Sequence, residues 1–474
     1  MIPLWNHSEA AQACNGAAKG NWIAHGVSID SRAISQDDLF VAIKGPNADG
    51  HDYVKSALNA GAAAAMVSEI RSEWPTNIPH ILVNDTDKGL NALAHCARDR
   101  ITKRASILGV TGSVGKTGTK EALRHVLSQQ GSTIATQGNL NNQWGLPLSL
   151  ARMPADTVYG ILELGMNHAG EIRALSKILR PHIAIITTIE PVHTEFFDSI
   201  EDIADAKAEI FDGMASDGIA ILNRENPYFD RLQSRAIEKK LNSIISFGDH
   251  ADAEARVIDC KLGASFSDIQ ADICGESITY RLGVPGKHWV LNSLAVLAGV
   301  KVAGGEVAEA AFALADINAL KGRGEQRLIT YDGGTFTLID ESYNASPVSM
   351  RAAFQVLKNT TPAQNGRRIA VLGDMLELGT EADAIHAALA KDISSAGIDI
   401  AILAGNHMAA LYTALPKSVA AEHDITSDNI LPVVINTVRP GDVVTVKGSL
   451  GSRMAPITAA LAALDETRGA ANAV

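Results

Sequence analysis

A glycine-rich run in the first quarter of the chain carries the strongest chemical signal in the sequence. It reads Gly-Val-Thr-Gly-Ser-Val-Gly-Lys-Thr over residues 109–117, between an apolar stretch and a segment with helical periodicity. Backbone N–H groups of such a loop can hold phosphate oxygens, while its lysine reaches the outer phosphates and its threonine hydroxyl contacts Mg²⁺. We predict that nucleotide phosphates bind to Thr111, Gly112, Ser113, Val114, Gly115, Lys116 and Thr117.

This loop departs from the commonest phosphate-loop pattern, G-x-x-x-x-G-K-[ST], because Val110 stands where that pattern has its first glycine. The alternative interpretation is a glycine-rich turn that binds no ligand. The strand–turn–helix context and the run Gly115-Lys116-Thr117 favour phosphate binding over this alternative.

Two polar residues follow apolar segments that we predict to be strands of the same sheet. Glu163 lies near the end of Val158–Leu164, and His193 lies just past His182–Ile189. Ligands of open α/β sheets bind outside the carboxyl ends of the strands, so both side chains should lie at the edge that holds the phosphate loop. A carboxylate suits Mg²⁺ well and an imidazole suits it less. The alternatives are a helix-capping glutamate and a loop histidine.

A lysine interrupts the apolar face of a predicted helix over residues 200–214. The apolar positions of this helix are Ile200, Ile203, Ile210, Phe211 and Met214. Spacings of three and four place Lys207 on the same face. Such a lysine either extends its amine to solvent, which the spacing alone favours, or is functionally placed. In the second case burial would lower its pKa, and the neutral amine could react with CO₂ to give a metal-binding carbamate.

Two further charged residues mark the last third of the chain. Asp340 follows an apolar run over 335–339 and precedes a polar turn, a position from which it could contact a ribose or a phosphate. The alternative is a local turn in which the carboxylate bonds nearby backbone N–H groups. Arg323, in a glycine-rich turn, could reach the nucleotide across a domain boundary or be a solvated linker charge.

The elements that must position these residues indicate an α/β protein of three domains. The first part of the chain has short apolar runs at Leu39–Ile43, Ala62–Val67 and His80–Val83. Besides the two strands named above, strands are predicted at Ala105–Val110, Thr335–Asp340, Arg368–Leu372, Ile398–Leu403 and Asp442–Val446. Helices are predicted at Asp87–Arg98, Lys116–Gln129 and Val290–Ala303, and an antiparallel insertion at Asp252–Leu282. Alternating strands and helices are typical of parallel sheets covered on both faces. We place the domains at residues 1–100, 101–319 and 320–474.

Composition excludes several classes of protein. The chain has 474 residues and a formal net charge of −12, which argues against a nucleic-acid-coating protein or a polybasic membrane patch. Four scattered cysteines suggest reduced thiols. There is no signal-peptide pattern and no apolar run of about 18 residues, so we expect no membrane span and a cytoplasmic location.

The loop spacing G-x-T-G-x-x-G-K-[ST] resembles that of the Mur ligases, and the resemblance extends over essentially the full chain. It implies a small UDP-binding domain, a central phosphate-loop ATPase domain and a C-terminal Rossmann-like domain. It also implies ATP and two Mg²⁺ ions. Glu163 resembles the family's Mg²⁺-binding glutamate, His193 its metal-linked histidine and Lys207 its carbamylated lysine. The metal ligands that the resemblance implies are Thr117, Glu163, His193 and Lys207. The catalytic residues that it implies are Lys116, Lys207 and His193.

The same resemblance implies a nucleotide site completed by Asn292, near the adenine, and by Arg323 and Asp340 from the C-terminal side. The segments 138–147, 340–347 and 372–379 look like those of members that join D-alanyl-D-alanine to a UDP-N-acetylmuramoyl-tripeptide through an acyl phosphate. Segments 30–32, 39–45 and 49–52 look like the UDP-sugar-binding part. The resemblance implies substrate contacts by Ser31, Arg32, Lys44, Asn139, Asn142, Asn344 and Ser346. We expect a monomer with no nucleic-acid partner.

Three local departures from the family pattern affect the expected substrate contacts. Glu190 stands where relatives usually have a small residue, Ser346 replaces a common asparagine, and the run Lys447–Arg453 is longer than usual. Two other functions stay open: a folylpolyglutamate-type ligase of the same superfamily, and a regulatory protein that binds a nucleotide without ligating anything.

Overall fold

The computed structural model describes residues 3–101, 105–192 and 194–465, and three β-sheets organise this part of the chain. The sheets follow one another along the sequence, each with its own helices. The predicted three-domain α/β architecture is therefore confirmed, whereas the boundaries at 100/101 and 319/320 stay a prediction.

The first sheet is small and mostly parallel. Its region contains strands β1 (Trp5–Asn6), β2 (Ala17–Lys19), β3 (Ile23–Ala24), β4 (Gly26–Ser28), β5 (Asp38–Val41), β6 (Ala64–Val67) and β7 (His80–Leu82) and helices α1 (His7–Cys14), α2 (Val54–Asn59) and α3 (Thr86–Arg100). The sheet has the order β2-β7-β6-β5-β4, with only β2 antiparallel to its neighbour. Strands β1 and β3 form a separate antiparallel pair.

The central sheet has nine strands in the order β16-β15-β14-β13-β12-β11-β8-β10-β9. These are β8 (Ser106–Thr111), β9 (Thr133–Ala135), β10 (Tyr159–Glu163), β11 (Ile183–Ile186), β12 (Ile219–Asn223), β13 (Ser243–Gly248), β14 (Ala255–Leu262), β15 (Ser267–Ile273) and β16 (Glu276–Leu282). The helices are α4 (Lys116–Leu127), α5 (Gly145–Ala151), α6 (Glu171–Leu179), α7 (Ile200–Ala208), α8 (Phe229–Glu238), α9 (Lys287–Val302) and α10 (Val307–Ala313). Strands β8 to β13 pair in parallel.

The insertion predicted over 252–282 is antiparallel within itself, as expected, but it does not stand apart from the sheet. Strand β14 pairs in parallel with β13 before the chain turns back through β15 and β16. The insertion therefore extends the edge of the central sheet.

The position of β8 explains how the sheet builds a site. Strand β10 lies on one side of β8 and β11 on the other, so chain connections diverge at the end of β8. Such a switch point leaves a crevice at the carboxyl edge of the sheet, where ligands of this fold class bind. The strands of this region are buried on both faces, which accounts for their uninterrupted apolar sequences.

The third sheet has six strands in the order β17-β18-β22-β19-β20-β21. These are β17 (Glu325–Tyr331), β18 (Gly334–Glu341), β19 (Arg368–Gly373), β20 (Ile400–Ala404), β21 (Ala420–Asp424) and β22 (Val443–Lys447). Its helices are α11 (Pro347–Asn359), α12 (Ala382–Ser395), α13 (Met408–Ala414), α14 (Ser427–Thr437) and α15 (Ala455–Ala463). The antiparallel hairpin β17–β18 leads from the central region into a parallel sheet.

Contacts join the three regions. Helix α5 is wholly buried, and its Leu148 and Ala151 complete the apolar core of the first region. On the opposite side, the Glu195 N–H and the Thr194 hydroxyl donate to the carbonyl of Glu377, at 3.4 Å each. None of the helices in residues 3–101, 105–192 and 194–465 has the length and apolar sequence that a bilayer span requires.

Candidate active site

The phosphate loop lies between β8 and α4, as predicted. Gly112 has φ +140° and Gly115 has φ +86°, both in the region that favours glycine. A Cβ on Gly112 would lie 2.1 Å from Thr187 Oγ1, so a side chain has no room there. The two glycines let the backbone turn sharply into the N-terminus of α4, where N–H groups are free to bind an anion.

The amine of Lys116 lies over this loop. Its Nζ donates to the carbonyls of Gly112 at 2.7 Å and Ser113 at 3.1 Å. Burial lowers the pKa of Lys116, the positive charge of Arg323 lowers it further, and Glu163 opposes both. The Lys116 amine is thus held over the loop by two carbonyls, which phosphate oxygens would replace.

Glu163 is the acidic group of the site. It ends β10, is only 2% exposed, and accepts the Thr117 hydroxyl at 2.9 Å on Oε2. The Asn141 amide donates to Oε1 at 2.8 Å, and the Glu163 N–H donates to Thr136 Oγ1 at 3.0 Å. These contacts hold the carboxylate beside Thr117, so its helix-capping alternative is wrong.

Asn141 is a residue of the site that the sequence pattern did not identify. It lies in the segment 138–147, from which only Asn139 and Asn142 were predicted to bind substrate. Its side chain fills the space beside Gly165, where a Cβ would lie 2.8 Å from Asn141 Cγ. The glycine two residues after Glu163 was the available signal, since a glycine often marks a close approach.

Lys207 is buried at the C-terminal end of α7, with 1% of its surface exposed. Burial lowers its pKa well below the usual value; nearby Lys116 adds to this effect and Glu163 opposes it. Its Nζ has no hydrogen-bond or ion-pair partner among the described residues. The alternative in which the amine extends to solvent is wrong. His193, its predicted partner, lies outside the described residues.

Asn292 lies against the phosphate loop from helix α9. A Cβ on Gly115 would lie 3.0 Å from Asn292 Nδ2, and a Cβ on Gly118 would lie 2.7 Å from the Trp289 ring. Helix α9 therefore packs closely along the start of α4. The structure brings Asn292 to the loop, and its contact with adenine stays a prediction.

Arg323 and Asp340 lie together at the start of the C-terminal region. The Asp340 carboxylate accepts from the N–H groups of Gly322, at 3.2 Å, and Ser342, at 3.1 Å, as in the turn alternative. The Arg323 guanidinium stacks 4.0 Å from the centre of the Tyr343 ring. Asp340 thus stabilises the turn that carries Arg323. The positive charge of Arg323 lowers the pKa of Lys116. Their nucleotide contacts stay predictions.

A cavity of about 440 Å³ lies between the first and central regions. Its lining residues are Ser28, Ile29, Asp30, Ala33, Ser35, Asp38, Gln137, Leu140, Leu148 and Arg152. Ser31 and Arg32 form one turn of 3-10 helix beside it, and Arg32 pairs with Asp30 at 2.8 Å. Lys44 and Asn139 are exposed. Asn142 accepts from the N–H groups that open α5, so its side-chain oxygen has a structural task.

Asn344 and Ser346 lie at the start of helix α11. Ser346 is its N-cap and forms a capping box with Ser349. Asn344 accepts from the Ala345 N–H through its side chain, and its carbonyl accepts from Lys447 Nζ at 3.0 Å. Both residues thus have local partners, and their substrate contacts stay predictions.

Known proteins resemble this chain in sequence and in fold. Family models match in three consecutive parts: "Mur ligase family, catalytic domain" over residues 23–109, "Mur ligase middle domain" over 110–300, and "Mur ligase, glutamate ligase domain" over 323–450. The UDP-N-acetylmuramoyl-tripeptide--D-alanyl-D-alanine ligase of Rickettsia prowazekii (strain Madrid E) is 34% identical over 451 residues, covering 95% of this chain and 98% of that protein.

Two solved structures resemble the whole chain. A crystal structure of MurF from Acinetobacter baumannii has a TM-score of 0.84 and 29% identity, covering 98% of this chain and 100% of that one. The MurF ligase from Thermotoga maritima in complex with ADP has a TM-score of 0.77 and 26% identity, covering 94% of this chain and 98% of that one.

Proposed function

The chain belongs to the Mur ligase family, and on this premise we propose that it joins D-alanyl-D-alanine to UDP-N-acetylmuramoyl-tripeptide at the expense of ATP. The product is the UDP-muramoyl-pentapeptide precursor of peptidoglycan. The observation that carries the proposal is the phosphate loop with Thr117, Glu163 and Lys207 at one edge of the central sheet. The relatives of this function match over nearly the full chain.

The reaction needs activation, because forming an amide from a carboxylate and an amine is uphill in water. The terminal carboxylate of the tripeptide attacks the γ-phosphate of ATP, giving an acyl phosphate and ADP. The amine of D-alanyl-D-alanine then attacks the carbonyl carbon and phosphate leaves. The protein contributes mainly positioning and compensation of charge.

Lys116 is suited to compensate the charge of the transferring phosphoryl group. Among the described residues, its amine bonds two carbonyls of its own loop, so phosphate oxygens can take their place without disturbing the fold. Backbone N–H groups at the start of α4 add fixed dipoles directed at the same group.

Thr117 and Glu163 are the oxygen donors that fit Mg²⁺. A hydroxyl and a carboxylate 2.9 Å apart supply two ligands, and a magnesium ion usually takes its others from phosphates and water. When bound, Mg²⁺ would offset negative charge as the carboxylate approaches ATP.

Lys207 supports a second metal through a carbamate. Burial lowers the pKa of this amine and so favours its neutral, nucleophilic form, which CO₂ would convert to an anionic carbamate. That anion would face Glu163 and Lys116, and a metal ion between the acidic groups would relieve their repulsion. We propose two Mg²⁺ ions, with His193 as a further ligand.

The UDP-linked tripeptide is proposed to bind between the first and central regions. The cavity of about 440 Å³ opens there, and Ser31 and Arg32 lie at its side. The third region completes the site from the other side, where Arg323 approaches Lys116. Contact between 194–196 and 377–381 brings these regions together and helps to exclude water from the acyl phosphate. We propose that the enzyme works in the cytoplasm.

The test is phosphate release from ATP with one component omitted at a time. We expect release to require UDP-muramoyl-tripeptide and D-alanyl-D-alanine together. Release with a folate acceptor or with another amine would show that the substrates differ from those proposed, while the protein would still be a ligase. Slow release that needs neither would favour the regulatory alternative and contradict the proposal.

A further inference from the structure

Glu190 is a charged residue beside the phosphate loop to which the reaction above assigns no task. It follows β11 by four residues. The Ser113 hydroxyl accepts from the Glu190 N–H at 2.9 Å and donates to its carbonyl at 3.0 Å. Because Ser113 belongs to the phosphate loop, these two bonds fix Glu190 relative to the transferring phosphate.

The carboxylate of Glu190 is half-buried and only partly satisfied. Oε1 accepts from the Thr188 hydroxyl at 3.3 Å, and no described residue donates to Oε2. Burial raises the pKa of Glu190, while the Thr188 hydroxyl and the positive charge of Arg351 lower it. One carboxylate oxygen is therefore available to a cationic ligand, in a place where water solvates it poorly.

The groups around Glu190 place it at the boundary between the central and C-terminal regions. Arg351, on helix α11, is the charged group that acts on it from the C-terminal side. Arg351 itself pairs with Asp392 at 3.0 Å. On the central side, Tyr228 lies just before α8, and the charge of Glu190 helps to raise its pKa. Glu190 thus lies beside the phosphate loop, at the place where charged groups of the central and C-terminal regions approach it.

We propose that Glu190 binds the ammonium group of D-alanyl-D-alanine and removes one of its protons before the nitrogen attacks. The inference rests on the proposed function. The freed lone pair of the nitrogen forms the C–N bond to the carbonyl carbon of the acyl phosphate. The bond between that carbon and the oxygen that it shares with phosphorus breaks, and its electron pair leaves with the phosphate. The second proton of the nitrogen passes to that phosphate, and Glu190 returns its proton to solvent.

The test compares two nucleophiles in the variant Glu190→Gln. Hydroxylamine is uncharged near neutral pH and needs neither an anion to hold it nor a base. We expect kcat/KM for D-alanyl-D-alanine to fall by about 100-fold, a usual effect of losing a general base, while hydroxamate formation from UDP-muramoyl-tripeptide keeps its rate. The deficit should shrink as pH rises, because the free dipeptide then carries a neutral amine.

Two further variants complete the design. Glu190→Asp keeps a carboxylate and should retain part of the dipeptide activity. Glu201→Gln removes an exposed carboxylate that also acts on Tyr228, and it should leave both rates unchanged.

The outcomes separate this inference from the proposed function. Equal loss of both nucleophiles in Glu190→Gln would show that Glu190 only supports the phosphate loop, and unchanged dipeptide kinetics would show that it has no part in the reaction. If the unmodified protein makes hydroxamate but no amide with D-alanyl-D-alanine, the proposed amine is wrong. If it makes neither, the ligase function itself is wrong.

Discussion

At the residue scale, Lys116 is the group whose removal should separate chemistry from folding. We expect Lys116→Ala to lower tripeptide-dependent ADP formation by at least about 100-fold, as when a charge-stabilising donor is removed from an active site. The melting temperature should change little, because among the described residues the amine bonds two carbonyls of its own loop and pairs with no acidic side chain. Turnover near that of the unmodified protein would show that the loop does not bind the reacting phosphate.

Lys207 gives a second prediction at this scale. Lys207→Ala should lose about 100-fold in rate if the lysine acts as a charged metal-binding carbamate. The space that the side chain leaves lies among Lys116 and Glu163, so added formate or acetate should restore part of the activity. The measurement is turnover against carboxylate concentration. An undiminished rate without added carboxylate would show that Lys207 is only structural.

The sequence predicted best those site residues whose function follows from their spacing within a short segment. The run 109–117 needs only its own glycines and lysine to form the phosphate loop, so its composition was sufficient. Asn141 was missed because its contact with Glu163 joins residues 22 positions apart and depends on how β10 enters the sheet. No periodic pattern distinguishes it from Asn139 and Asn142.

At the element scale, apolar runs located the central strands because parallel strands are buried on both faces. The run Ala105–Val110 became Ser106–Thr111 and Val158–Leu164 became Tyr159–Glu163, shifts of one residue. Helix α5 was not predicted, because its wholly buried sequence has no polar face and hence no helical periodicity. The pairing of β14 with β13 depends on two residue pairs, too few to leave a sequence pattern.

Helix capping gives the prediction at this scale. Ser346 caps α11 and is 6% exposed, so Ser346→Ala should lower the free energy of unfolding by about 1 kcal/mol. The predicted substrate contact would add a rise in KM for D-alanyl-D-alanine. Chemical denaturation measures the first effect. Ser395→Ala is the control, since that exposed hydroxyl bonds the carbonyl of Lys391 inside its own helix and should be nearly neutral. Equal effects of the two substitutions would contradict the capping role.

At the scale of the whole molecule, Arg100 joins the first region to the central one. Its guanidinium donates to the carbonyls of Leu4 at 2.7 Å and Met153 at 2.8 Å and stacks 4.2 Å from the ring centre of Trp5. We expect Arg100→Ala to cost about 2 to 3 kcal/mol, since hydrogen bonds to a charged group are lost. Calorimetry should show the first region unfolding ahead of the rest.

The same variant should bind UDP-muramoyl-tripeptide less tightly, because the cavity proposed to bind it lies between these two regions. Arg281→Ala is the matched control: its exposed pair with Asp268 should contribute little. A single unshifted transition in Arg100→Ala would mean that Arg100 contributes little to holding the two regions together.

The central claim is that this chain adds one intact dipeptide to a UDP-linked tripeptide. The most direct measurement is the mass of the UDP-muramoyl product after incubation with ATP, Mg²⁺ and D-alanyl-D-alanine. We expect a gain equal to D-alanyl-D-alanine less one water, with one ADP formed per product and no product in Lys116→Ala. A product carrying a single amino acid, or ADP without any change in the mass of the UDP-linked substrate, would contradict it.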